Sequence, residues 1–349
     1  MSSQTAWEEK FLSKIKQSCD LDDSLSFDDF AQDRNKIPRY KKTLFVLDYL
    51  PKWQFYIQFL VHVRNFRKDV GKKIDLLRLS DISRNHIKGY SRVIFAYHDP
   101  LRQLYPSIYS KSKKLEELCD SLGIEFFGRP NGLSNTSKSV MSRIWQQNNI
   151  PCVRQFKVNS MEDIFKIKDL KYPVFVRYDC GHDSAGRRRS ELFYSQDELK
   201  HSDLFNKKKY NAVLHFRDKV VTEFYETVSI DGLYRKFRTI VAGQETLNEA
   251  INMSSSWFVH RRDTVLNRKF VKEHLNFQNQ PLSQAFKKVL VKANNVLGLE
   301  LSAIDWSVDK KNNIVLWEAN AHPSWNNWII HNEEYKRKYI HFIAKTMIK

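Results

Sequence analysis

The chain has 349 residues, of which 42% are hydrophobic, 28% charged and 13% aromatic, enough to bury a core as two or three packed modules rather than one small domain. No apolar run approaches the length a bilayer needs and no segment reads as a signal peptide; Cys19, Cys119, Cys152 and Cys180 form no CxxC pair, so the expectation is reduced thiols in a cytoplasm. Lys and Arg number 58 against 40 acids, a formal net charge of +18, a field that attracts polyanions such as nucleic acid, acidic peptides or phosphorylated small molecules.

Up to about Tyr40 the chain is rich in Ser, Asp, Lys and Gln and reads as an N-terminal extension, residues 1–40, with one amphipathic stretch through Trp7, Phe11 and Ile15. Thr43 to Asp48 is an apolar run of strand length, and an apolar-periodic stretch after it reads as a helix through about Phe66. Lys73 to Leu79 and Arg92 to Tyr97 read as two further buried strands. Ser112 to Leu122 is helical by the spacing of Leu115, Leu118, Cys119 and Leu122, and Gly123 stops it before a strand from Ile124 to Phe127. Alternating strands and helices predict a parallel α/β domain over about 41–130.

The pattern then changes. Lys138 to Gln147 reads as a helix with Val140, Met141, Ile144 and Trp145 on one side, closed by Asn148, Asn149 and Pro151. Ser160 to Asp163 and Ser195 to Glu198 are capping signatures. Tyr172 to Asp179 reads as a strand with Glu191 to Tyr194 as its hairpin partner and the loop Cys180 to Arg189 between them. Val220 to Tyr225 and Phe237 to Val241 follow as strands, and Leu301 to Val308 with Ile314 to Asn320 closes the series as a hairpin. The basic clusters at Arg187, Arg188, Arg189 and at Lys207, Lys208, Lys209 lack interleaved aromatics, so nucleic acid is a weakly supported partner.

Three segments carry chemistry. In ELSAIDWSVDKKNNIVLWEAN, a four-residue turn from Lys310 to Asn313 pairs Asp309 with Ile314 and sets Asp305 opposite Glu318, with Asn320 on the same face. Opposed carboxylates repel, and between apolar neighbours (Ile304, Trp306, Val315, Trp317) they read as ligands of a hard dication. On this logic Glu318→Gln leaves the fold intact or slightly stabilised. In YPVFVRYDCGHDSAGRR, Arg177 ends a strand that runs into a loop bearing Gly181, Ser184 and Gly186, where backbone N–H groups can approach an anion closely. In VVTEFYETVSIDGLYRKFRTIVAG, Glu223, Phe224 and Tyr225 offer backbone groups and an apolar wall to a flat base, with Asp231, Arg235 and Arg238 beyond.

The order of these pieces, ending in E-A-N-x-x-P from Glu318 to Pro323, resembles the ATP-grasp superfamily over about Lys41 to Ser324, and within it the glutathione-synthetase-like and ribosomal-protein glutamate ligase branch. The D-alanine–D-alanine ligases are similar but more distant. The resemblance implies a mixed α/β and α+β fold: a pre-ATP-grasp parallel α/β domain, then an ATP-grasp fold over 131–349 with a small central subdomain at about 150–225 and a C-terminal one at about 226–349. It implies ATP and two magnesium ions as cofactors, with manganese as a substitute. Lys138 and Arg177 would hold the α- and β-phosphates, Gly181 to Gly186 would close over the γ-phosphate, and Glu223, Phe224 and Tyr225 would receive adenine, with Asp231 nearby. Asp305, Glu318 and Asn320 would ligate the metals, and Arg238, Arg261 and Arg262 are the catalytic candidates. The chain departs from the pattern in having arginine where lysine is usual at position 177, and in having no glycine between Gly243 and Gly298. The activity implied is carboxylate–amine ligation through an acylphosphate, on an acidic small molecule or peptide and with no membrane partner. A kinase of inositol phosphates is the alternative, and a non-catalytic binder the third reading; the oligomeric state is left open.

Overall fold

The computed structural model describes residues 37–47, 55–180, 191–202, 219–260, 264, 267–322 and 333–348. The stretch around Trp7, the glycine loop beyond Cys180, both basic clusters, Arg261 and Arg262 lie outside these residues.

The first half is built on a four-stranded parallel sheet, ordered β2-β1-β3-β4, from β1 (Thr43–Leu47), β2 (Ile74–Arg78), β3 (Arg92–Ala96) and β4 (Glu125–Phe127). β1 and β3 are buried along their whole length, as their unbroken apolar runs require of strands covered on both faces. One face, through Val93 and Phe95, meets Leu115 of helix α2 (Pro106–Ser121) and Trp145 of helix α3 (Lys138–Gln147). The other, through Phe45 and Leu47, meets Phe59 and Val63 of helix α1 (Phe55–Phe66) and Tyr339 and Ile343 near the C-terminus. Phe45 and Phe95 are wholly buried, each contributing roughly 1.5–3 kcal/mol through apolar surface removed from water. β2 differs from its expected full burial: it is an edge strand, half-buried at Ile74 to Leu77 and exposed at Arg78. α2 also begins six residues before the expected Ser112, because Pro106 at its first turn supplies a fixed φ and no orphan N–H.

A small antiparallel sheet follows, ordered β5-β7-β6, from β5 (Gln155–Val158), β6 (Val174–Tyr178) and β7 (Lys219–Glu223). The expected hairpin partner of β6, Glu191 to Tyr194, is corrected: β7 takes that role over five register pairs, and Phe193 adds only an isolated bridge to Val174. The reason is apolar burial, since Val220 and Val221 of β7 are fully buried while the 191–194 segment sends only Phe193 into the cluster around Val174, Ile164 and Leu199.

The third sheet is antiparallel, ordered β11-β10-β8-β9, from β8 (Tyr234–Ala242), β9 (Glu245–Ser254), β10 (Leu301–Val308) and β11 (Ile314–Asn320). Helix α4 (Arg268–Asn279) packs on β9, helix α5 (Gln284–Val296) joins the core through Leu290 and Val291, and helix α6 (Glu333–Met347) carries Tyr339 and Ile343. Among the described residues no helix is long and apolar enough to cross a membrane.

Candidate active site

Three elements converge where the small sheet faces the large one. Asp179, just past β6, accepts hydrogen bonds from the Ser139 backbone N–H and hydroxyl, both at 2.8 Å, and its carbonyl accepts from the Lys138 N–H. This caps the first turn of α3 with a carboxylate and fixes Lys138 beside Arg177 of β6. Both cations then face Glu318 of β11: its Oε2 lies 3.4 Å from an Arg177 Nη1 and 3.8 Å from Lys138 Nζ. Gln155 of β5 accepts from Arg177 Nη2 at 2.7 Å and donates to the Trp317 carbonyl at 3.3 Å, holding the guanidinium in place. Arg177 Nε is buried with no hydrogen-bond partner among the described residues, an orphan donor of the kind a ligand satisfies.

Asp305 pairs directly with Glu318 across the hairpin. The route to that register differs from the expected one. Val308, not Asp309, pairs with Ile314, and a β-bulge leaves Trp317 unpaired between Leu316 and Glu318. The two one-residue offsets cancel. The bulge also lets the consecutive residues Trp317 and Glu318 line one cavity, which strict alternation forbids.

The acidic pair is not left to repel. Asp305 Oδ1 accepts from Arg238 at 2.9 Å and its Oδ2 lies 3.0 Å from Lys236 Nζ. Arg238 is also held at 3.2 Å by Glu249, which is 1% exposed. Burial alone raises the Glu318 carboxyl, but Lys138, Arg177, Lys236 and Arg238 overcome it and hold the group well below the ordinary carboxylate range. Burial presses Lys138 and Arg177 below their usual values, with Glu318 opposing in each case. Arg238 moves the other way: burial works against its charge, and Asp305 and Glu249 more than restore it.

An open cavity adjoins this cluster, with Phe175, Arg177, Phe224, Trp257, Lys236 and Glu318 in its wall. Trp257 lies 5.2 Å from Phe175 and edge-on to Phe224 at 5.8 Å, ring centroid to centroid. Glu318 also borders a smaller polar cavity with Lys138, Asp99, Asp179 and Asn320. Asp99 accepts the backbone N–H groups of Ala321 and His322, tying the end of β11 to the loop after β3.

Lys138, Arg177, Arg238, Asp305, Glu318 and Asn320 are therefore brought together, and Phe224 lines the adjoining cavity. Other sequence candidates are placed elsewhere. The Glu223 carboxylate accepts from the Lys171 N–H at 2.9 Å and pairs with Arg154 at 3.2 Å, clasping the small sheet rather than facing the cavity. The Tyr225 hydroxyl donates to Asp309 on the hairpin turn. Asp231 is held by Arg235 and Lys269 in an ion-pair network that continues to Glu273, and it lines neither cavity. The sequence reading missed Lys236, Glu249, Gln155 and Trp257. Only Lys236 carried a usable signal, its i, i+2 spacing from Arg238 on a strand. Among the described residues no group of three His, Cys, Asp or Glu side chains is placed to hold a metal ion; the Asp305 and Glu318 carboxylates with the Asn320 amide are a hard oxygen set that fits magnesium.

No protein-family model and no curated protein sequence matches the chain. Solved structures do. The ATP-grasp ligase PsnB, complexed with precursor peptide PsnA2 and AMPPNP, is 11% identical with a TM-score of 0.51, over 87% of this chain and 99% of that one. D-alanine–D-alanine ligase from Bacillus anthracis is 12% identical with a TM-score of 0.52, over 88% and 95%. A RimK-domain ATP-grasp protein from Sphaerobacter thermophilus is 13% identical with a TM-score of 0.51, over 88% and 100%. The chain has the ATP-grasp fold.

Proposed function

We propose that this ATP-grasp chain is an ATP-dependent ligase that activates a substrate carboxylate and joins it to an amine, releasing ADP and phosphate. The observation that carries the reading is the placement of Glu318 between Lys138 and Arg177, directly opposite Asp305 and beside an aromatic cavity. Lys138 and Arg177 hold the nucleotide phosphates, and the orphan Arg177 Nε is a donor for one of their oxygens. The aromatic wall that Phe175, Phe224 and Trp257 form in the cavity takes the flat base against it. Asp305, Glu318 and Asn320 supply oxygens to magnesium, or to manganese in its place. A metal bound there supplies neutralisation of charge on the transferring phosphoryl group.

What the chain itself contributes is positioning and electrostatics. Lys138, Arg177 and Arg238 are held by Asp179, Gln155 and Glu249, so little reorganisation accompanies charge development. No nucleophilic side chain is required, because the substrate carboxylate attacks phosphorus and the amine then displaces phosphate. The loop with Gly181, Ser184 and Gly186, together with Arg261 and Arg262, is assigned to covering the γ-phosphate by resemblance alone. We divide the chain at about residue 130 into a pre-ATP-grasp domain and the ATP-grasp domain. The precursor peptide bound by PsnB supports a peptide substrate, and the +18 charge supports an acidic one.

The test is a screen of amino acids, peptides and phosphorylated small molecules with Mg-ATP, reading ADP release and identifying products by mass spectrometry. A new amide with one ADP per turnover is expected. A phosphorylated product without an amide would replace this reading with the kinase one. Absence of heat on titrating Mg-ATP into the protein would remove both.

A further inference from the structure

Asp305 carries one cation on each oxygen, and the two cations are not equivalent. Arg238 is paired with Asp305 in the β8–β10 register and is anchored from the far side by Glu249. Lys236, two residues earlier on the same face of β8, is 22% exposed at its side chain and lines the open aromatic cavity. Its ion pair among the described residues is the single one to Asp305, at 3.0 Å. A long, flexible stem holding one carboxylate oxygen at the edge of an open cavity is easily displaced. Arg238, with its fork shared between two buried carboxylates, is not.

We infer that Lys236 is an internal counter-ion: it occupies Asp305 in the absence of a divalent metal, and it must leave Asp305 before a metal can take that oxygen. This rests on the ligase reading above, which makes Asp305 a metal ligand. Once released, the ammonium lies in the cavity assigned to nucleotide, where phosphate oxygens compensate its charge. Metal alone therefore binds against the repulsion of Lys236, whereas metal arriving with nucleotide does not. The two ligands are positively coupled through this side chain, and the coupling is reciprocal.

The experiment is Mn²⁺ binding to the full chain, followed by electron paramagnetic resonance, with and without a non-hydrolysable ATP analogue. In the parent protein Mn²⁺ alone binds weakly and the analogue tightens it. Lys236→Gln should tighten Mn²⁺ alone by about tenfold, the repulsion of a unit charge and a dication a few ångströms apart even at a water-like dielectric. The factor by which the analogue improves Mn²⁺ binding should shrink correspondingly. Lys236→Arg, which keeps the charge, should retain weak Mn²⁺ binding, and adding Asp305→Asn to Lys236→Gln should abolish the gain. Equal Mn²⁺ affinity in the parent and Lys236→Gln without nucleotide, with both still binding Mn²⁺ and the analogue together, would overturn the inference alone. Failure of the parent to bind Mn²⁺ with the analogue would remove the ligase reading and this inference with it.

Discussion

At the scale of single residues, the structure reverses a sign. Opposed carboxylates imply that neutralising Glu318 relieves strain, and the register does oppose Asp305 and Glu318. Yet Lys138 and Arg177 close on Glu318, while Lys236 and Arg238 close on Asp305. Each carboxylate is therefore held by attraction, and removing the Glu318 charge leaves Lys138 and Arg177 facing each other without their shared partner. Glu318→Gln should lower stability by about 1–3 kcal/mol, less than the loss of a fully buried ion-pair partner because glutamine still accepts hydrogen bonds. It should also nearly abolish ADP release. The pH sign agrees: a carboxyl held below its ordinary value near 4.5 contributes stability that is complete above that pH and is lost as pH falls through the folded value. Urea unfolding of parent and variant at pH 7 and at pH 4 measures both effects, with the difference between them narrowing in acid. A variant as stable as the parent at pH 7 would restore the simple repulsion picture.

At the scale of elements, legibility followed apolar continuity. β1 and β3 are unbroken apolar runs and were readable, and α3 was readable to its end residues because Lys138 to Gln147 has a clear apolar side and a stop. β9 was not readable. Eight of its residues are buried, but Asn248, Glu249 and Asn252 are among them, so neither alternation nor an apolar run exists. Their polarity has tertiary causes: Asn248 donates to the Phe277 and Gln280 carbonyls at the end of α4, and Glu249 holds Arg238. Such partners lie tens of residues away and leave no local pattern. The hairpin register was read correctly at Asp305 through two cancelling offsets, because a bulge at Trp317 has no spacing signature. α4 also docks through a histidine. His274 Nδ1 accepts the Ile251 N–H of β9, and burial lowers the imidazole from its ordinary 6.5 to about 4. Its neutral form is the folded form, so stability is lost as pH falls from 6.5 toward 4, by about 2 kcal/mol between pH 6.5 and 5. His62, also lowered by burial to about 4, adds to the same slope. His274→Gln should flatten the pH dependence of unfolding by the His274 share, whatever it costs at pH 7. An unchanged slope would place the titration elsewhere.

At the scale of the whole molecule, two kinds of charge act at different ranges. The cations of the site are buried or nearly so, between 7% and 22% exposed at the side chain, and each faces a carboxylate at contact distance, so added salt screens them little. The remaining excess belongs to a surface carrying a net +18 overall, whose field reaches beyond the cleft only where counter-ions permit, about 8 Å at physiological ionic strength. Capture of an acidic substrate samples that outer field, whereas turnover samples the inner cluster. Raising KCl from about 50 to 300 mM, from a Debye length above 10 Å to one below 8 Å, should therefore lower kcat/KM for an acidic substrate several-fold while leaving kcat unchanged. A neutral analogue of the same substrate should show little dependence. A parallel fall in kcat would mean that salt reaches the Lys138–Glu318–Arg177 cluster itself, and the separation of ranges would fail. Flat behaviour in kcat/KM for the acidic substrate would reduce the +18 to a solvated lysine-rich surface with no part in capture.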